Sequence, residues 1–254
     1  GIQFLRQHSQ TDWGTKTDHM RTRIVDDLRN TCIPYISFTN YGRTSVFYHK
    51  HSFSLTDYKG RGLSSRKNEN YGIYRFDALY QKQLGRGQML SGRLNAQVAS
   101  ESKKMSSSDM FYIGGANSVR AFSVRSIGPG RYQPTERELS YLLQVGDIKF
   151  QANIEYRFQL AGALHGAAFL DAGNVWNLRN HENAEAEQFR FKNLLDQLAV
   201  GTGLGLRYDL DFLVFRLDLG LGLHAPYDTG KSGYFNLPKW NDAMALHFAI
   251  GYPF

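Results

Sequence analysis

An all-β transmembrane antiparallel barrel is the fold this sequence predicts, and three observations predict it. Apolar and polar residues alternate with a period of two down most of the chain, which gives each strand one greasy and one wet face. The alternating runs reach roughly 10 residues, the length that spans a bilayer at a barrel tilt, whereas soluble strands cluster near 5–6. Connections alternate between very short and very long, as in outer-membrane barrels. The 17 Phe, 15 Tyr and 25 Gly among 254 residues suit strands and tight turns better than helices. In a soluble sandwich, the rival arrangement, the apolar faces meet a second sheet; strand length and loop asymmetry favour the membrane.

The first element, residues 1–30, reads as a loop or short helix, with Met20, Ile24, Val25 and Leu28 at near-helical spacing among charges. Strands follow over residues 31–254. Pro34–Asn40 and Arg43–Leu55 are weak runs; Gly72–Tyr80 and Leu90–Val98 alternate clearly. Phe150–Leu160 alternates over its whole length, setting Ile154 and Tyr156 against Glu155 and Arg157. Ala163–Trp176 is strand-like and carries Asp171 on the face of His165 and Gly173, the face assigned to the lumen. Leu198–Leu210, Leu213–Leu223 and Met244–Phe254 complete a set of about nine strands. Gln159–Leu164 and Leu210–Phe212 are short turns, while Gly114–Gly146 and Asn177–Gln197 are long connections at the other end. Glycines crowd the wet faces at Gly201, Gly203, Gly205, Gly220 and Gly222. They allow either barrel coiling or room for a segment inside the lumen.

Composition excludes several classes. A mean hydropathy of -0.44 and the lack of any apolar run of about 18 residues exclude a helical membrane protein. One cysteine, Cys32, leaves no disulfide framework or cysteine-rich metal site. His49 and His51 form an i,i+2 pair with no third ligand in reach, so a luminal or loop pair is expected and no metal site. No HExxH, GxSxG or phosphate-binding loop is present, and no enzyme or cofactor is expected. The +7 charge is spread without a nucleic-acid recognition module and suits loops facing an anionic leaflet. Gly1 is not an initiator methionine, and Gly1–Gln10 lacks a signal-peptide layout, so a processed chain or a fragment is expected.

The longest connection contains FYIGGANSVRAFSVRSIGPGRYQP, residues 111–134. Gly114-Gly115, Ser118-Val119-Arg120, Phe122 and Ile127-Gly128-Pro129 stand in the order and spacing of the BamA/TamA-like outer-membrane assembly and translocation barrels, which this chain resembles. The superfamily's glycine after the arginine is Ala121 here. Downstream, Glu155-Tyr156-Arg157-Phe158 sits where that superfamily has a glutamate in an aromatic-flanked strand, and Asp171-Ala172-Gly173-Asn174-Val175-Trp176 matches its Asp-x-Gly-x-x-Trp signature. The resemblance covers about residues 70–254, and the phrasing from IGPG to FLDAGNVW looks closest to a TamA-like branch. Alternation alone leaves Arg120 either a solvated loop cation or an inward one needing carboxylates for its planar fork. The resemblance implies that residues 110–146 fold back into the lumen and that Arg120 pins them to Glu155 and Asp171.

Phe248, Tyr252 and Phe254 form an aromatic C-terminal strand. It serves as an interface girdle, and it resembles the signal by which assembly machinery recognises barrels. The resemblance further implies a bacterial outer-membrane location, unfolded outer-membrane or secreted polypeptides as clients, contact with the lipid bilayer, and accessory periplasmic proteins as partners. A two-partner-type polypeptide secretion pore and a passive porin are the competing readings. Barrels of this superfamily have sixteen strands, so nine or ten strands would be the C-terminal portion of a larger barrel.

Overall fold

The computed structural model describes residues 1–13, 23–62, 69–100, 105, 109–133, 144–178, 186, 188–189, 191, 194–237 and 243–254. Ten strands follow one another in one sheet. They are β1 (Ile2–Trp13), β2 (Arg23–Tyr41), β3 (Ser45–Gly62), β4 (Glu69–Gly85), β5 (Gln88–Ala99), β6 (Ile148–Ala161), β7 (Leu164–Trp176), β8 (Ala199–Asp209), β9 (Val214–His224) and β10 (Met244–Ile250). Every neighbour pair is antiparallel. Among the described residues β1 and β10 do not pair, so both are edges. Short turns join β2 to β3, β4 to β5, β6 to β7 and β8 to β9; the long connections all lie at the opposite end.

Polarity is inverted relative to a soluble domain. On one face Ile154, Leu170, Leu219 and Phe248 are exposed, and Leu204 is 66% exposed. On the other, Glu155, Asp171, Arg207 and Asp218 are 0% exposed. An apolar outer face in contact with lipid and a polar inner face account for this pattern. Phe47, Tyr80, Tyr208 and Phe215 lie on the outer face toward the short turns, where an interfacial aromatic belt belongs. The buried apolar cluster lies inside the sheet, where Ile113, Val119, Ala121, Phe122 and Ile127 of the β5–β6 connection pack on Val175, Ala199 and Ala225.

Three sequence expectations are corrected. First, the described part of residues 1–30 is neither loop nor helix: Ile2–Trp13 pairs with Arg23–Pro34, and Val25–Cys32 pairs with Leu55–Gly62. Sheet pairing satisfies the backbone groups of β2 on both sides and those of β1 on its β2 side, which outweighs a weak helical spacing. Residues 14–22, with Met20, lie outside the described residues.

Second, His49 and His51 are not luminal. The inner face of β3 is Ser52, Ser54 and Thr56, all buried, so the odd positions point outward. His51 is 2.7 Å from the Tyr74 hydroxyl, and His49 stacks on Phe38. Third, the last strand ends at Ile250 rather than Phe254. Gly251 takes a φ of 85°, its N–H reaches the Val214 carbonyl, and the chain turns off the sheet.

Candidate functional site

The β5–β6 connection enters the concave face on a double glycine. Gly114 and Gly115 have φ of 95° and 88°, a region where a side chain is strained. A Cβ on Gly114 would also strike the Ser123 carbonyl. The Gly115 N–H donates to the Phe122 carbonyl at 2.8 Å, and the Phe122 N–H donates to the Val119 carbonyl at 3.1 Å. Together these bonds make residues 115–122 a compact hairpin-like tip. Val119, Ala121 and Phe122 on this tip are buried in the apolar cluster.

Arg120 points from the tip into the wall. Its Nε donates to Asp171 Oδ2 at 2.8 Å and its Nη2 to Asp171 Oδ1 at 2.9 Å, a bidentate fork. Its Nη1 donates to Glu155 Oε2, and its backbone N–H also donates to Asp171 Oδ2 at 3.0 Å. The guanidinium lies 3.6 Å from the Phe169 ring centroid, a cation–π arrangement. Ser118 Oγ donates to Gln151 Oε1 at 2.9 Å. Asn153 Nδ2 donates to both the Ser118 carbonyl and Asp171 Oδ1. Arg120, Glu155 and Asp171, which the resemblance implies should meet, are thus brought together, Ser118 of the same loop motif lies beside them, and all four are buried.

Sequence reasoning missed the rest of the network. Glu155 also accepts from Arg157 Nε at 2.6 Å and Arg207 Nη2 at 3.1 Å. Arg207 in turn lies 2.5 Å from Asp218, and Asp218 lies 3.0 Å from Arg216 Nε. Arg216 closes the circuit by donating to the Ala116 carbonyl and Asn117 Oδ1 on the loop. His247 on β10 meets the Arg120 carbonyl at 2.8 Å; a carbonyl only accepts, so Nε2 carries the proton. The available signal was strand phase: Arg207, Arg216, Asp218 and His247 all occupy inward positions of their strands.

The inner glycines make room for the loop. A Cβ on Gly201 would collide with the Ala121 methyl, and one on Gly220 would strike the Arg120 carbonyl and come within 2.8 Å of Ala121 Cα. The Asp-x-Gly-x-x-Trp segment fastens the far end. Asn174 Nδ2 donates to the Gly130 carbonyl at 2.7 Å, and Trp176 Nε1 donates to Gln197 Oε1 at 2.7 Å.

The C-terminal aromatics divide. Phe248 is outward and stacks on Phe215. Tyr252 and Phe254 instead leave the strand and pack on the Arg157 guanidinium, at 4.4 and 5.7 Å, and Tyr252 donates to Asp209 Oδ2 at 2.9 Å. No group of three potential metal ligands occurs among the described residues.

Comparison with known proteins follows the same lines. The family profile described as the Omp85 superfamily domain matches residues 47–254. A SAM50-like protein of Schizosaccharomyces pombe is 28% identical over 150 residues, covering 57% of this chain and 29% of that protein. The crystal structure of BamA from Haemophilus ducreyi lacking POTRA domains 1-3 superposes on 98% of this chain and 58% of that one, at 10% identity and a TM-score of 0.48. The chain therefore spans less than a third of the curated relative and just over half of the solved one.

Proposed function

Because this chain belongs to the Omp85 superfamily, we propose that it works in the insertion, assembly or translocation of polypeptides at an outer membrane, without covalent catalysis. The observation that carries this reading is the buried seat of the Gly114–Phe122 loop on the inner wall, centred on Arg120, Asp171 and Glu155. Such a loop occupies the concave face that an open conduit would need. The outer edge of β10, unpaired among the described residues, offers a row of backbone donors and acceptors suited to strand-level capture of clients. Unfolded outer-membrane or secreted polypeptides are the clients in this reading, with the lipid bilayer and accessory periplasmic proteins as partners. The narrower assignments, a TamA-like branch and a bacterial outer membrane, rest on the phrasing of residues 127–176.

The test is a folding assay in liposomes carrying the full chain. A client barrel protein should fold faster than in empty liposomes, and Arg120→Ala should remove most of the acceleration. Client folding at the empty-liposome rate, together with a large unitary conductance in planar bilayers, would replace this reading by a secretion pore or a porin.

A further inference from the structure

Beneath the loop, a cavity of about 560 Å³ separates Gly114–Ser118 from the inner faces of β4, β5 and β6. Its wall holds a transverse row of three residues, since Arg75 pairs with Gln97 and Gln97 pairs with Lys149. The cations at the two ends of the row stand two strand spacings apart, roughly 10 Å between backbones. Arg75 Nε donates to Gln97 Oε1 at 3.3 Å. Neither Arg75 nor Lys149 forms an ion pair among the described residues.

The carboxylates nearby are already engaged. Asp109, which also lines the cavity, accepts from Arg29 and from Tyr71, each at 2.9 Å. Asp77 accepts from Asn95 at 2.5 Å and lies 3.7 Å from Arg93. Arg75 and Lys149 therefore face one partly enclosed space with no carboxylate in direct contact among the described residues, and only the longer-range charges of Asp77 and, for Arg75, Asp109 act on them. Partly buried charge gains from pairing, and two cations converging in a concave wall attract an oppositely charged group.

We propose that this cavity is an anion site, in which Arg75 and Lys149 clasp an oxyanion of the carboxylate or phosphate class between the sheet wall and the loop. Arg75 supplies a planar fork suited to two oxygens, and Lys149 supplies a compact point charge. The site is separate from the Arg120–Asp171–Glu155 cluster, and its binding test needs no assumption about client folding.

Calorimetric titration of the full chain, folded in detergent micelles, tests the proposal with inorganic phosphate in one arm and succinate in the other. Saturable binding of either anion at millimolar concentration is expected, and the tighter of the two identifies the group the site takes. Arg75→Gln and Lys149→Gln should each weaken binding about tenfold, the scale of one charge-assisted contact, and Lys149→Arg should retain it. Heat-modifiable mobility on gels verifies that each variant has folded. No saturable binding of either anion, or native affinity in both glutamine variants, overturns the proposal.

Discussion

Replacing Arg120 by alanine separates the two carboxylates it serves. Glu155 would keep Arg157 at 2.6 Å and Arg207 at 3.1 Å, so its charge stays compensated. Asp171 would keep only neutral donors, Asn153 at 2.7 Å and the residue-120 amide at 3.0 Å. Removing one partner of a buried ion pair costs about 3–5 kcal/mol, and here that cost falls on Asp171. Even 3 kcal/mol is about a hundredfold in the opening equilibrium of the loop. Hydrogen exchange across Ile113–Ile127 in the folded chain reads that equilibrium directly, with heat-modifiable mobility showing that the sheet has formed. The asymmetry yields a double-mutant cycle. Coupling of Arg120→Ala with Asp171→Asn should exceed its coupling with Glu155→Gln. Native-like protection in Arg120→Ala, or the larger coupling at Glu155, would refute the reasoning.

Three further outcomes follow from the same geometry. Gly220→Val places a side chain against the Arg120 carbonyl and Ala121 Cα; overpacking by about 1–3 kcal/mol should raise exchange in the loop while the heat-modifiable band persists. Leu204→Arg, on the lipid face at the middle of β8, should cost about 2–4 kcal/mol in a bilayer, measured by denaturant titration in liposomes; a neutral result would contradict the outward assignment. His247→Ala deletes a bond to the Arg120 carbonyl worth about 1 kcal/mol. It should raise exchange in both β10 and the loop, and a change confined to one of them would show that the two are not tied.

The sheet was largely legible because its outer face must be apolar. Wherever Leu, Ile and Phe alternate with polar residues, as in β6, β8 and β9, strand limits and phase could be read closely. Legibility failed where the outer face departs from aliphatics. In β3 the outward residues include His49 and His51 while the inward ones include Ser52, Ser54, Thr56 and Tyr58, so polarity no longer separates the faces. β1 failed for a related reason: Ile2, Phe4 and Leu5 are interspersed with Gln3, Arg6 and Gln7, and long-range pairing to β2 supplies the order. At the site, a motif pointed to Arg120, Glu155 and Asp171. Arg207, Arg216 and Asp218 belong to no such motif, and only register shows that three strands bring them to one place.

The loop is held by two kinds of anchor that respond differently to perturbation. Val119, Ala121 and Phe122 contribute apolar burial, which is non-directional and tolerates small displacements. The Arg120 and Arg216 contacts between loop and wall are directional, and breaking the Arg120 pair leaves the buried Asp171 charge to its desolvation cost. The ionic anchor therefore makes the seat close to all-or-none, whereas apolar contact alone would let the loop slide. That anchor runs from β6 and β7 through Arg207 on β8 to Asp218 and Arg216 on β9. β9 is the strand to which the free-edged β10 is paired, with His247 directly opposite Asp218. Seating the loop thus fixes the inner face of β9 and, through the His247 bond, the inner face of β10 as well. Lifting the loop strands Asp171 with neutral donors alone, removes the loop acceptors of Arg216 and frees β10 from an interior tie at the same moment, which makes loop position and edge-strand freedom two readouts of one equilibrium.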